Sequence, residues 1–184
     1  MMPETSRLFL GIPVDDATRA GLGEWLGPAR LPGRPVTPAN WHLTLRFLGD
    51  TPMDQQARLT EALAAANLGA RFTLEFGGLG AFPRPQRAAV LWLGVTQGDR
   101  ELRRVAATTE EVVRAAGFPA DRKSFSPHLT LARIQPPPRD ISALVAASTP
   151  WGARMEVAEA VLFRSHLGGG PPRYERVASF PLAP

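Results

Sequence analysis

The chain has three histidines, and two of them open the same tetrapeptide: His42-Leu43-Thr44-Leu45 and His128-Leu129-Thr130-Leu131. For this composition, a given histidine is followed by Leu-Thr-Leu by chance on the order of one time in a thousand. Successive side chains of a strand point to opposite faces. Histidine and threonine therefore share one face of each tetrapeptide, and the two leucines share the other. The leucine face suits a core. The His/Thr face suits a cleft, to which each half of the chain would bring one imidazole and one hydroxyl.

The remaining pattern predicts two similar units around these strands. Residues 6–14 read as a strand closed by Pro13, and Asp15 and Asp16 as caps of a helix that runs to about Gly27 with Leu22, Trp25 and Leu26 on one face. A Pro/Gly-rich loop spans 28–38. Residues 41–48 read as a strand ending at Gly49-Asp50, 53–67 as a helix, and 71–79 and 88–95 as paired strands. In the second half, Leu102, Val105, Ala106, Thr109, Val112, Val113 and Ala116 mark an amphipathic helix ended by Gly117. Residues 125–134 read as a strand, 140–148 as a short helix, and 154–163 and 173–180 as strands flanking Ser-His-Leu-Gly-Gly-Gly-Pro-Pro. The order predicts an α+β fold. We expect a single bilobal domain over 1–184, with two pseudo-symmetric lobes of antiparallel or mixed sheet, outer helices and a cleft between them. The lobes fall roughly at 1–97 and 98–184, with room for exchange of terminal strands.

Composition narrows the function classes. Hydrophobic residues make up 44% and charged residues 21% of the chain, which suits a folded globular protein. There is no cysteine, so disulfides, thiol nucleophiles and cysteine-based zinc sites are excluded. No apolar run reaches the length of a membrane span, and the first residues lack the pattern of a signal peptide, which predicts a cytoplasmic protein. No spacing suggests a metal site or a bound cofactor, and nothing implies a stable protein partner, so we expect a monomer. The net charge is +4, with Lys123 the sole lysine. A basic excess suits a polyanion such as RNA, although an arginine-rich composition alone also accounts for it.

Two imidazoles and two hydroxyls suit phosphodiester hydrolysis. A base takes a proton from the entering water while an acid gives one to the leaving oxygen on the opposite side. Histidine, with an ordinary pKa near 6.5, serves in either role around neutral pH. The threonine hydroxyls can donate to non-bridging phosphate oxygens. Spacing alone does not say which histidine is acid and which is base.

At these motifs the chain resembles the two-histidine phosphoesterase superfamily, marked by a pair of His-x-[Thr/Ser]-x motifs. It is most similar in pattern to the RNA 2′,3′-cyclic phosphodiesterases, historically named 2′–5′ RNA ligases. The resemblance runs through RLFLGIPV, NWHLTLRFLG, RAAVLWLGV, FSPHLTLAR and VLFRSHLGGGPPRYERVASFPL. It implies hydrolysis of RNA 2′,3′-cyclic phosphate ends to 2′-phosphomonoesters without a metal. In that scheme His42 donates the proton and His128 accepts one. The alternatives are an RNA-end binder without turnover, a 2′–5′ RNA ligase, and a phosphodiesterase acting on another small cyclic phosphate or nucleotide.

Five further residues are candidate substrate contacts. Thr44 and Thr130 follow from the motifs. Arg46 shares the His/Thr face under strict alternation. Arg133 falls on the opposite face unless a bulge at Ala132 turns it, whereas the resemblance puts an arginine there near the phosphate. Phe125 is the stacking candidate by the same resemblance, ahead of Phe9, Phe47 and Trp41. His166 lacks a threonine two residues on and reads as a surface residue. Gly168-Gly169-Gly170 reads as hairpin slack, and Tyr174 as either site or packing.

Overall fold

The structure is a computed structural model that describes residues 4–28 and 30–184. Residues 1–3 of the opening segment and residue 29 of the Pro/Gly loop lie outside the described residues. In chain order the elements are β1 (Thr5–Pro13), α1 (Asp16–Leu26), β2 (Arg34–Pro35), β3 (His42–Pro52), α2 (Met53–Ala65), β4 (Phe72–Phe82), β5 (Val90–Gln97), α3 (Asp99–Ala115), β6 (Leu129–Arg133), α4 (Ser142–Ala147), β7 (Arg154–Val157), β8 (Glu159–His166) and β9 (Arg173–Pro181). The fold is α+β, as the alternation of patterns predicts.

All strand pairs are antiparallel, in the order β7-β4-β5-β6-β3-β1-β8-β9. β3 and β6 pair only at Leu43 and Leu129. The sheet thus has two arms, β7-β4-β5-β6 and β3-β1-β8-β9, that meet at one point and diverge. Each arm draws two strands from residues before 98 and two from residues after it. Where β6 leaves β3, β2 takes its open flank, pairing Arg34 with Arg133 and Pro35 with Ala132.

Helix boundaries follow local chemistry. The Asp15 carboxylate accepts the Thr18 backbone N–H at 2.7 Å and caps α1, which leaves Asp16 inside the first turn. α3 buries Leu102, Val105, Ala106, Thr109 and Val113, the stripe its periodicity predicts. No helix among the described residues is long and apolar enough to cross a membrane.

Three strand expectations are corrected. The run 154–163 is two strands, β7 on β4 and β8 on β1, in different arms. Only Ala158 separates them, and one residue spans under about 4 Å. The sheet therefore curls until its β7 edge lies beside β8. The apolar pattern continues across Ala158 and conceals this switch. The strand expected over 125–134 forms only at Leu129–Arg133. Pro127 has no N–H for a ladder, so residues 125–128 approach as irregular chain. β2 lies inside the segment expected to be loop, and its two residues are too short a pattern to register.

The motif leucines Leu43, Leu45, Leu129 and Leu131 are all buried in the main core with α2 and α3, on the face their spacing predicts. A smaller cluster of Phe9, Val161 and Phe163, with Tyr174 against it, sits apart from that core. In the other arm the Trp92 ring lies over Gly80, where an added Cβ would stand 2.2 Å from the ring. Gly80→Ala should displace Trp92 and lower stability by about 1–3 kcal/mol, read by denaturant unfolding. An unchanged midpoint would show that the ring relocates freely.

Candidate active site

The two tetrapeptides meet where the arms touch. The Leu43–Leu129 pair is antiparallel, so a local two-fold axis between them relates His42 to His128 and Thr44 to Thr130. Extending the register by one residue each way sets His42 opposite Thr130 and Thr44 opposite His128. Both strands then bulge at the same place. In β3, Thr44 pairs with Gly11 and Arg46 with Leu10, leaving Leu45 unpaired. In β6, Thr130 pairs with Trp92 and Ala132 with Leu91, leaving Leu131 unpaired. An extra residue in one strand turns everything after it to the opposite face.

The bulges decide which later side chains reach the cleft. Arg133 is returned to the Thr130 face by the bulge at Leu131, one residue before the position at which a bulge was anticipated. The bulge at Leu45 sends Arg46 away, which corrects the expectation from alternation. Arg46 is 9% exposed and donates from Nε to Glu110 of α3 at 2.6 Å, from Nη1 to the Phe47 carbonyl at 2.7 Å, and from Nη2 to the Pro119 carbonyl. It ties β3 to α3 and lies outside the cleft. The residue that takes its expected place is Phe47, five residues after His42 as Arg133 is five after His128. Matching positions across the two-fold thus carry a ring on one side and a guanidinium on the other.

A cleft of about 430 Å³ is lined by His42, Thr44, Thr130, Arg133, Phe47 and Tyr174. Arg7 and Arg34 also line it, and no Asp or Glu does. Neither arginine stands in a His-x-Thr-x motif; Arg34 faces Arg133 through the β2–β6 pairing, and the Arg7 guanidinium sits 4.9 Å from the centre of the Phe47 ring. Phe125 is elsewhere. Its side chain packs against the main core, and its carbonyl accepts from Arg103 at 2.9 Å. The resemblance suggested a cleft position for it, and the irregular approach over 125–128 instead turns it onto the core. His166 pairs with Glu175 at 2.6 Å on the surface, as expected of it. Tyr174 packs edge-on to Phe9 and His42, with ring centres 4.8 and 5.4 Å away.

The two imidazoles are held alike. His42 Nδ1 lies 2.7 Å from the Asn40 carbonyl, and His128 Nδ1 lies 2.7 Å from the Ser126 carbonyl. A carbonyl only accepts, so Nδ1 carries the proton in both rings, and Nε2 is the lone pair of the neutral form. His42 Nε2 is 2.9 Å from the Thr44 hydroxyl, which donates to it. Each ring is flanked by aromatics: Phe9 at 4.7 Å from His42, Phe82 at 4.8 Å from His128. Gly11 permits this packing, because a Cβ there would meet the Leu43 carbonyl oxygen at 3.0 Å and His42 Cδ2 at 3.3 Å. The Asn40 side chain donates to the Pro172 carbonyl at 2.6 Å, fastening the β8–β9 turn to the segment that orients His42. Asn40 and Ser126 orient the rings through their main-chain carbonyls, so residue identity at these positions gives no signal in the sequence.

Burial pushes the His42 pKa down to about 4, with Arg133 and His128 adding to the shift and the Asn40 carbonyl opposing it. His128 is lowered by burial and then by Arg133, against the Ser126 carbonyl. Both rings are therefore neutral in the empty site around pH 7.

Two measurements follow from this geometry. The folded state holds a proton on His42 less readily than the unfolded chain. Its contribution to stability is thus full above about pH 6.5 and is lost as pH falls toward 4, amounting to about 3 kcal/mol. Urea unfolding at a series of pH values should show His42→Gln losing less stability on acidification than wild type; equal losses would contradict the shift. Arg46→Ala should cost about 2–3 kcal/mol by leaving Glu110 unpaired, while turnover at saturating substrate stays near wild type. A collapse of turnover in a folded Arg46→Ala protein would return Arg46 to the site.

Comparison with known proteins agrees with this geometry. The family model described as LigT like phosphoesterase matches twice, over residues 12–92 and 93–174, one match for each motif. An RNA 2′,3′-cyclic phosphodiesterase of Archaeoglobus fulgidus is 34% identical over 180 residues, covering 95% of this chain and 99% of that protein. One of Aeropyrum pernix is 40% identical over 126 residues, covering 68% and 70%. The crystal structure of E. coli LigT complexed with 3′-AMP superposes with a TM-score of 0.80 at 28% identity, covering 97% of this chain and 99% of that one. With both motifs, both matches and the whole fold in common, the chain belongs to the LigT-like phosphoesterase family.

Proposed function

We propose that this protein hydrolyses the 2′,3′-cyclic phosphate at the end of an RNA to a 2′-phosphomonoester, with His42 and His128 as acid and base. The observation that carries the reading is the paired geometry: two imidazoles related by a local two-fold and each fixed through Nδ1, His42 lining the cleft with Thr44, Thr130 and Arg133, and His128 on the partner strand close enough to act on it. The names and structures of the relatives support the substrate class.

The two rings differ in the way the reaction needs. His128 Nε2 has no hydrogen-bond partner among the described residues, so its lone pair is free to take a proton from water. The water oxygen bonds to phosphorus as the P–O3′ bond breaks on the opposite side. His42 gives its Nε2 proton to O3′, leaving the phosphate on O2′. One water is consumed, and solvent exchange resets both rings. Thr44, Thr130 and Arg133 bind the non-bridging oxygens, whose charge grows in the transition state. Phe47, 47% exposed and covered on one side by Arg7, offers its other face to the terminal base in place of Phe125.

An acid must hold a proton, and His42 is neutral in the empty site. The phosphodiester anion supplies the missing charge. Its binding raises the His42 pKa from about 4, so substrate and proton enter together. On this reading the protein is a cytoplasmic monomer that acts on RNA ends or small nucleotides and works without a metal ion.

The test is an RNA ending in a 2′,3′-cyclic phosphate, incubated with EDTA, with the position of phosphate in the product determined. The 2′-phosphate is expected. A 3′-phosphate would reverse the leaving oxygen, and no conversion by folded protein would favour an RNA-end binder. His42→Ala and His128→Ala should each lower kcat by about 10²–10⁴-fold with unchanged circular dichroism. In an NMR titration the His42 pKa should rise when a nucleoside 2′-phosphate binds; a fixed pKa would exclude His42 as the proton donor.

A further inference from the structure

Several exposed arginines away from the cleft stand against carboxylates: Arg58 with Asp54 at 2.8 Å, Arg103 with Asp99 at 2.9 Å, and Arg154 with Glu75 at 2.9 Å. Others, such as Arg100 and Arg104 of α3, are exposed without one among the described residues. Arg133 and Arg34, facing each other across the β2–β6 pair, have no carboxylate partner among the described residues. Neither do Arg30 and Arg139. These two line a second groove of about 990 Å³, formed by the end of α1, the segment through β2 and the turn after β6. All four side chains are exposed.

The groove and the cleft are continuous, since Arg34, Pro35 and Val36 line both. No Asp or Glu lines either one. The hollow on another side of His42 is mixed in charge, with Asp15, Asp16, Glu156 and Glu159 in its wall beside Arg19 and Arg176, which pair with Asp16 and Glu159. A polyanion leaving the cleft meets carboxylates on that side and only arginines along the groove, which draws it over Arg34 toward Arg30 and Arg139.

Resting on the functional reading above, we infer that the groove is a track for the RNA strand that precedes the cyclic phosphate. Arg34, Arg30 and Arg139 hold its backbone phosphates, so the preferred substrate is an oligonucleotide end rather than a free nucleoside cyclic phosphate. Contacts of this kind position the strand without reading its sequence. They release counterions and make binding salt-dependent.

The test compares wild type, Arg30→Gln/Arg139→Gln, and Arg100→Gln/Arg104→Gln. The last removes two exposed arginines of α3 as a control for net charge. Binding is measured by fluorescence anisotropy with a labelled single strand of about eight nucleotides ending in a 2′-phosphate, and by competition with a nucleoside 2′-phosphate. The groove variant should bind the strand about tenfold more weakly. Its slope of log K against log salt should be shallower by about 0.7 per lost contact. Its affinity for the nucleoside phosphate and its turnover of a nucleoside 2′,3′-cyclic phosphate should not change. Equal losses in the α3 variant, or wild type binding the strand no better than the nucleoside phosphate, would overturn the track. Failure of wild type to turn over any cyclic phosphate would instead overturn the hydrolytic reading, and the binding comparison would still decide the groove.

Discussion

One backbone pairing, Leu43 with Leu129, joins the two arms of the sheet, and the site depends on it. The pairing sets the local two-fold that brings the histidines to one place. Because the strands part immediately beyond it, the sheet opens there instead of closing over. The parting is built into both strands by the unpaired Leu45 and Leu131. Their buried side chains fix the bulges in the core while the polar faces diverge above it. β2 then satisfies the flank of β6 that β3 leaves behind.

The electrostatics of the cleft follow from that packing. The rings are buried by the aromatics on either side, and Arg133 stands near both. Positive charge is thus gathered where solvent cannot stabilise more of it, and the imidazoles respond by staying neutral. On the proposed function, an entering anion completes the arrangement. Carbonyls at Asn40 and Ser126 hold each ring in one tautomer, with the lone pair on Nε2.

Much of this was legible in the sequence, and most of the exceptions share a cause. The leucine faces, the stripe of α3, the Asp15 cap and the cleft positions of His42, Thr44 and Thr130 follow from period and local chemistry, which short segments carry within themselves. Arg46 and Phe47 exchanged faces because a bulge is one residue of slip, and Leu45 looks like any other strand leucine. Arg133 was named from the resemblance, with a bulge to reconcile it with alternation, and the bulge lies at Leu131. The change of arm at Ala158 was invisible because apolar residues continue on both sides of it, alternating in β7 and as a run in β8. Phe125, suggested by the resemblance, packs on the main core because Pro127 keeps residues 125–128 out of the strand. For the bulges and the change of arm the deciding fact was a pairing partner far along the chain.

The unlike pair at matching positions, Phe47 and Arg133, has a consequence for direction. A cleft made of two equal halves would accept a ligand in two orientations related by half a turn. The reacting phosphorus would look the same in both, while the oxygens bound to it would exchange places. Half of all encounters would then offer the wrong oxygen to the proton donor. A ring on one side and a guanidinium on the other lift that degeneracy, because a base and a phosphate cannot trade those seats at equal energy. On the proposed function, a duplicated fold would thereby gain a single sense of reaction from the identity of one side chain in each half.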